Sequence, residues 1–211
     1  MNDLQKIGGI AALVNALAYM IGLGVALTLL LPVLGSEPAE YVAFLADNKT
    51  LLDTWHLIIY IVAGVFMVPL VLALHDRLKT GSSAIMQIAT AFGLIWAGLV
   101  IASGMLLIND SGIVVSLYQQ DPAQAVTVWL ALSAVENGLG GGIELPGGLW
   151  VLLLSWVALK NGGLSKALSL LGIVIGMAGI LTVSPFLQEL GTVFGLGFVV
   201  WFIWAGIIML R

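Results

Sequence analysis

Apolar runs long enough to cross a bilayer recur six times in this chain, at about residues 7–32, 54–75, 84–108, 140–160, 165–183 and 192–210. Lipid offers the backbone no hydrogen-bond partners, so each run must satisfy its own amides and carbonyls, which a helix does. Close to 20 residues span roughly 30 Å of hydrocarbon. Only 9% of the 211 residues are charged and 61% are hydrophobic, where soluble domains carry about 25% charged residues. That leaves no room for a sizeable aqueous domain. The sequence therefore predicts one transmembrane domain over residues 1–211: an all-α polytopic membrane helical bundle of six transmembrane helices, multi-pass in the cell (inner) membrane.

The basic residues orient the bundle. With six spans, Lys6, Arg77, Lys79, Lys160, Lys166 and Arg211 fall on one side and Lys49 on the other. The positive-inside rule then places both termini in the cytoplasm. The first run is much longer than the apolar core of a signal peptide, about 7–15 residues, and reads as a retained span.

The connections follow from local signals. Pro32 and Gly35 end the first span, and residues 36–50, with Glu37, Glu40, Asp47 and Lys49, read as a polar loop. Asp53 is placed to N-cap the second span. Thr80–Ser83 turns the chain, Asn109–Gly112 follows the third span, and Asn161-Gly162-Gly163 stops the fourth. Asp121-Pro122 is a helix-start signal, so an extra interfacial helix is expected near 122–136.

The residues that could carry chemistry gather on the outer side. The stretch from Glu136 to Trp150, ENGLGGGIELPGGLW, opens the fourth span with two carboxylates, a proline and a run of glycines. Counting back about 20 residues from Lys160 places Glu144 inside the membrane. A buried carboxylate there is costly, and such residues mark ion, proton or substrate paths. The glycines and Pro146 disfavour a continuous helix, as in the broken helices that line transporter sites. The alternative is a glycine-rich turn with Glu144 favoured by the helix dipole. Asp53 and His56 are three apart on one face, and Asp110 and Glu136 flank the same side. The expected ligand-binding set is Glu144, Glu136, Asp53, His56 and Asp110, converging near the outer rim. His56 and Glu144 are the residues a metal would use, and Asp as cap with His at the interface accounts for that pair without one.

Other chemistry finds no signature. There is no nucleophile elbow, P-loop, HExxH or dinucleotide fingerprint, no cysteine, and no basic patch for nucleic acid. His56 and His75 lie on one span, about 28 Å apart, so they cannot clamp one haem, and no cofactor is specified. Gly172 with Gly176, and Gly191 with Gly195, have the four-residue spacing of close helix contacts, within the chain or toward partner helices or a second copy.

The segment GGLWVLLLSWVALKNGGLSKALSLLGIVIGMAGILT, and more loosely LALHDRLK, resembles a bacterial six-helix integral membrane family labelled domain of unknown function 4386. The resemblance covers about half of the chain, mainly its second half, and implies six spans and a bacterial source. It supplies no catalytic residues. Three functions remain open: binding or transport of a small molecule or cation in an outward-facing polar cavity, a membrane-embedded enzyme using a His/carboxylate metal or acid–base site, and an accessory subunit of a membrane complex.

Overall fold

The computed structural model describes residues 3–33, 35–141 and 144–211. These residues form eight α-helices and no strand. Helix α1 is Asp3–Val25, extended by a π-helical turn at Ala26–Leu30. Helix α2 (Pro38–His56) runs through a π-helical segment (Leu57–Val62) into α3 (Ala63–Leu78). Then follow α4 (Ser83–Tyr118), α5 (Pro122–Glu136), a π-turn at Asn137–Gly141, α6 (Leu145–Asn161), α7 (Lys166–Leu181) and α8 (Leu190–Leu210).

Six of these helices close a ring. In order around it, α1 packs on α3, α3 on α4, α4 on α6, α6 on α7, α7 on α8, and α8 on α1. The middle is filled by Trp150, Trp201, Phe198 and Phe202, all buried. Their rings make stacked and edge contacts, such as Trp150 on Phe198 at 6.1 Å and Phe198 on Phe202 at 4.8 Å. Four helical stretches are long and apolar enough to cross a membrane: Asp3–Leu30, Pro38–Leu78, Ser83–Tyr118 and Leu190–Leu210. Helix α6 has 17 residues and α7 has 16, about 24–26 Å at 1.5 Å each, which is short of a ~30 Å core.

Backbone contact between α6 and α7 is very close. A Cβ on Gly148 would stand 2.7 Å from the Ile180 amide nitrogen and 2.8 Å from the Gly176 carbonyl oxygen. Gly172 lies equally tight against Ser155. Gly172 and Gly176 are thus filled by α6 of the same chain. Within the chain Gly191 and Gly195 make no close helix contact: around Gly195 nothing lies within 4 Å of a built Cβ.

One end of the ring gathers the basic residues. The Gln5 amide donates to the Ala73 carbonyl (2.8 Å), the Arg77 guanidinium to the Gly163 carbonyl (2.8 Å), and the Asn161 amide to Ser82 Oγ (2.7 Å). Gly81, Gly162 and Gly163 turn the chain there with positive φ. His75 ties α3 to α4 at the same end through Thr90 Oγ1, 2.7 Å away.

The opposite end differs from the sequence expectation. Of residues 36–50, expected as a polar loop, all from Pro38 onward are helical. Val42, Leu45 and Leu52 are buried along one side of α2, against Val114 of α4 and Ala125 of α5. Helix α4 continues through Asn109–Gly112 to Tyr118. The helix expected near 122–136 is present, and the Asp121 carboxylate caps it by accepting from the Ala123 and Gln124 amides. The first part of α2, the last part of α4 and α5 therefore form a three-helix layer with its own small core, on top of the ring. Asp53 lies within α2, not at its start. The fourth apolar run begins as a helix at Leu145, not near residue 140, because the π-turn at Asn137–Gly141 belongs to the end of α5; Gly142 and Ile143 lie outside the described residues.

Candidate functional site: two hollows joined at Tyr60

The three-helix layer and the ring meet around a π-helical segment. A π-turn is rare and costs regular packing, and it recurs at functional sites. Here it follows His56 directly and carries Tyr60. The His56 ring lies 4.9 Å from Trp55 and 6.0 Å from Tyr60, centroid to centroid. His56 is 5% exposed, and its Nδ1 has no hydrogen-bond partner among the described residues. A buried ring nitrogen without a partner is uncommon enough to demand an explanation.

His56 borders a small hollow together with Tyr41, Asp110, Ser111, Trp129 and Glu136. Its volume is ≈ 30 Å³, about enough for one or two waters. A wider hollow of ≈ 430 Å³ adjoins it, lined by Tyr41, His56, Glu136, Asn137 and Tyr60 among others. Burial between the helices pushes the Glu136 carboxyl up to about 7, and the nearby Asp110 carboxylate adds to the rise. An acid so placed exchanges its proton near neutrality.

Glu144 occupies a second hollow, deeper in the ring. This one has a volume of ≈ 130 Å³ and is walled by Tyr19, Tyr60, Trp96, Phe194 and Phe198. Glu144 is the N-cap residue of α6, at φ −95° and ψ 27°, with no side-chain cap hydrogen bond. Its backbone is pinned on both sides: the amide donates to Thr182 Oγ1 (2.8 Å), and the carbonyl accepts from the Gly148 amide (2.8 Å). The Trp96 indole lines the same hollow. Among the described residues the ion pairs are Lys49–Asp53 and Lys79–Asp76, so no base neutralises Glu144.

The five residues expected to converge divide into three groups. His56, Glu136 and Asp110 share the small hollow beneath the three-helix layer. Glu144 lines the inner one. Asp53 lines neither: it pairs with Lys49 and accepts from Ser111 Oγ (2.6 Å), tying α2 to α4. His56 and Glu144 therefore do not face a common point, and among the described residues no three His, Cys, Asp or Glu side chains form a group able to hold a metal ion. Tyr60 lines both the inner hollow and the wider one of ≈ 430 Å³, and so stands between them.

The sequence does not single out the aromatic wall. Trp96, Phe194 and Phe198 stand on α4 and α8 within runs of apolar residues, where an aromatic facing lipid looks the same as one facing a cavity. A usable signal was the coincidence of two tyrosines, Tyr19 and Tyr60, inside otherwise apolar spans.

Together these features define the class: an all-helical protein with four helices fit to cross a membrane and a carboxylate in an aromatic hollow. No family model, curated protein or solved structure matches the chain. The resemblance of the second half to the six-helix family rests on the residues quoted for it.

Proposed function

We propose that this is a six-span membrane protein with both termini in the cytoplasm, which binds a small molecule or cation in a polar cavity reached from the outer side. The observation that carries the reading is Glu144. A carboxylate held in place by backbone bonds, with no base beside it, bordering a ≈ 130 Å³ hollow, is a poor structural element and a good ligand group. A buried anion without compensation is costly, and binding a cation removes that cost. The basic residues at the opposite end support the orientation. The wide hollow at Tyr60 supports a way in through the outer layer. The shortness of α6 and α7 fits a pair in which α6 begins and α7 ends at a water-filled recess, where irregular backbone is tolerated.

Passage across the membrane, as distinct from binding, would use the same hollow as its outward-facing state. His56 and Glu144 line separate hollows, and among the described residues no three His, Cys, Asp or Glu side chains group to hold a metal ion, which does not support the metal form of the enzyme reading. An acid–base site of His56 with Glu136 and Asp110, which share one hollow, is the second reading. The test is the purified protein and its Glu144→Gln variant in detergent, screened against small cations by ligand-induced thermal shift. Stabilisation of the wild type alone supports the reading. Identical behaviour of the two proteins in every ligand refutes it.

A further inference from the structure

We infer that the ligand class of the Glu144 hollow is a small alkylammonium, a tetrahedral organic cation of about five to seven heavy atoms; this rests on the cation-binding reading above. The walls carry the inference. Five aromatic rings border the hollow from four helical segments: Tyr19 of α1, Tyr60 of the π-helical segment, Trp96 of α4, and Phe194 and Phe198 of α8. Trp96, Phe194 and Phe198 are mutually packed at 5.7, 5.1 and 4.7 Å, with Phe194 edge-on to both neighbours. Aromatic faces attract cations through the ring quadrupole, and cages of such rings suit quaternary ammonium groups. Glu144 is the acidic group on the wall, and a bound cation favours its ionised form.

The alternatives fit less well. Inorganic divalent cations take six or more oxygen ligands. Here the carboxylate and the phenols of Tyr19 and Tyr60 are the side-chain oxygens that border the space, and the other side chains are hydrocarbon apart from the Trp96 indole N–H, which is a donor and no cation ligand. A neutral apolar guest would match the rings but leave the carboxylate uncompensated. The volume of ≈ 130 Å³ is close to the ~150 Å³ cavity that holds a benzene, which is the size of tetramethylammonium or choline. Neither Trp96 nor Phe194 is free to swing away, because both are buried in the aromatic core. The cage is therefore preformed.

The experiment is calorimetric titration of the full chain in detergent with choline, tetramethylammonium and 3,3-dimethyl-1-butanol. The last is choline's uncharged carbon isostere. The expected result is saturable binding of both ammonium ions, at least tenfold weaker binding of the alcohol, and at least a tenfold loss of choline affinity in Glu144→Gln. Phe194→Leu, which removes a ring and keeps the charge, should weaken choline severalfold and leave binding of a plain inorganic cation unchanged. Each variant is first checked for wild-type elution and melting; where Phe194→Leu fails, Tyr19→Leu removes a different ring. Equal affinity for choline and the alcohol overturns the inference. Glu144-dependent binding of sodium or magnesium with no ammonium binding overturns it while leaving the cation-binding reading standing. No Glu144-dependent binding of any probe overturns both.

Discussion

Gly148→Ala tests the link between packing and site most sharply. Gly148 lies one turn after Glu144, and its position against Gly176 sets where α6 begins. The added Cβ meets the Ile180 nitrogen at 2.7 Å, the Gly176 oxygen at 2.8 Å and the Gly179 carbonyl carbon at 3.0 Å. All three are backbone atoms, so no flexible side chain can yield, and the helices must separate by several tenths of an ångström. Overpacking of this kind costs about 1–3 kcal/mol. Alanine recovers up to about 1 kcal/mol through its better helix propensity. With backbone on every side the upper end applies, giving a net loss of about 2 kcal/mol and a Tm lower by roughly 4–8 °C. Moving α6 also moves Glu144, so choline affinity should fall with stability. The control is Gly195→Ala, where nothing stands within 4 Å; it should melt within a degree or two of wild type. Thermal melting of the three proteins in one detergent decides the matter. A Gly148→Ala protein as stable as wild type would refute the α6–α7 backbone contact, and with it the placement of Glu144.

Other outcomes follow from the outer layer. Glu136, with its carboxyl raised to about 7, favours the folded state when protonated. That contribution is full below the ordinary carboxyl value of 4.5 and is lost as pH rises through 7, so Tm should decline between pH 5 and 8 in wild type and less so in Glu136→Gln. Asp53→Asn should lower stability by about 1 kcal/mol, because it weakens a half-exposed ion pair and the Ser111 bond, and should leave choline affinity unchanged in the same titration. The chain has no cysteine, so single thiols report topology directly: Lys49→Cys should react with an impermeant maleimide in intact cells, and Lys79→Cys only after the membrane is opened.

Much of the architecture was legible because it follows from solvent. Long apolar runs favour helices, and helices are what the structure shows. Asn161-Gly162-Gly163 and Asp121-Pro122 also act locally, through positive φ and a side-chain cap. The outer layer was not legible for the same reason in reverse. Residues 36–50 carry four charges, yet Val42, Leu45 and Leu52 share a buried side, a helical spacing that the charges obscure. Asn109–Gly112 looks like a break, but Ser111 turns inward to Asp53 and the helix continues. Glu144 stood out as an acid in an apolar run. Its surroundings did not, since Tyr19, Trp96 and Phe198 reach it from distant parts of the chain, and only the ring of helices brings them together.

The most direct measurement uses Gly195→Cys, a thiol on the wall of the Glu144 hollow at a position with space for it. Intact cells are treated with an impermeant quaternary-ammonium thiosulfonate. Modification from the outside, slowed by added choline, is the result required by a cation site open to the outer face. A thiol that stays silent from outside, yet reacts once the protein is denatured, would contradict it.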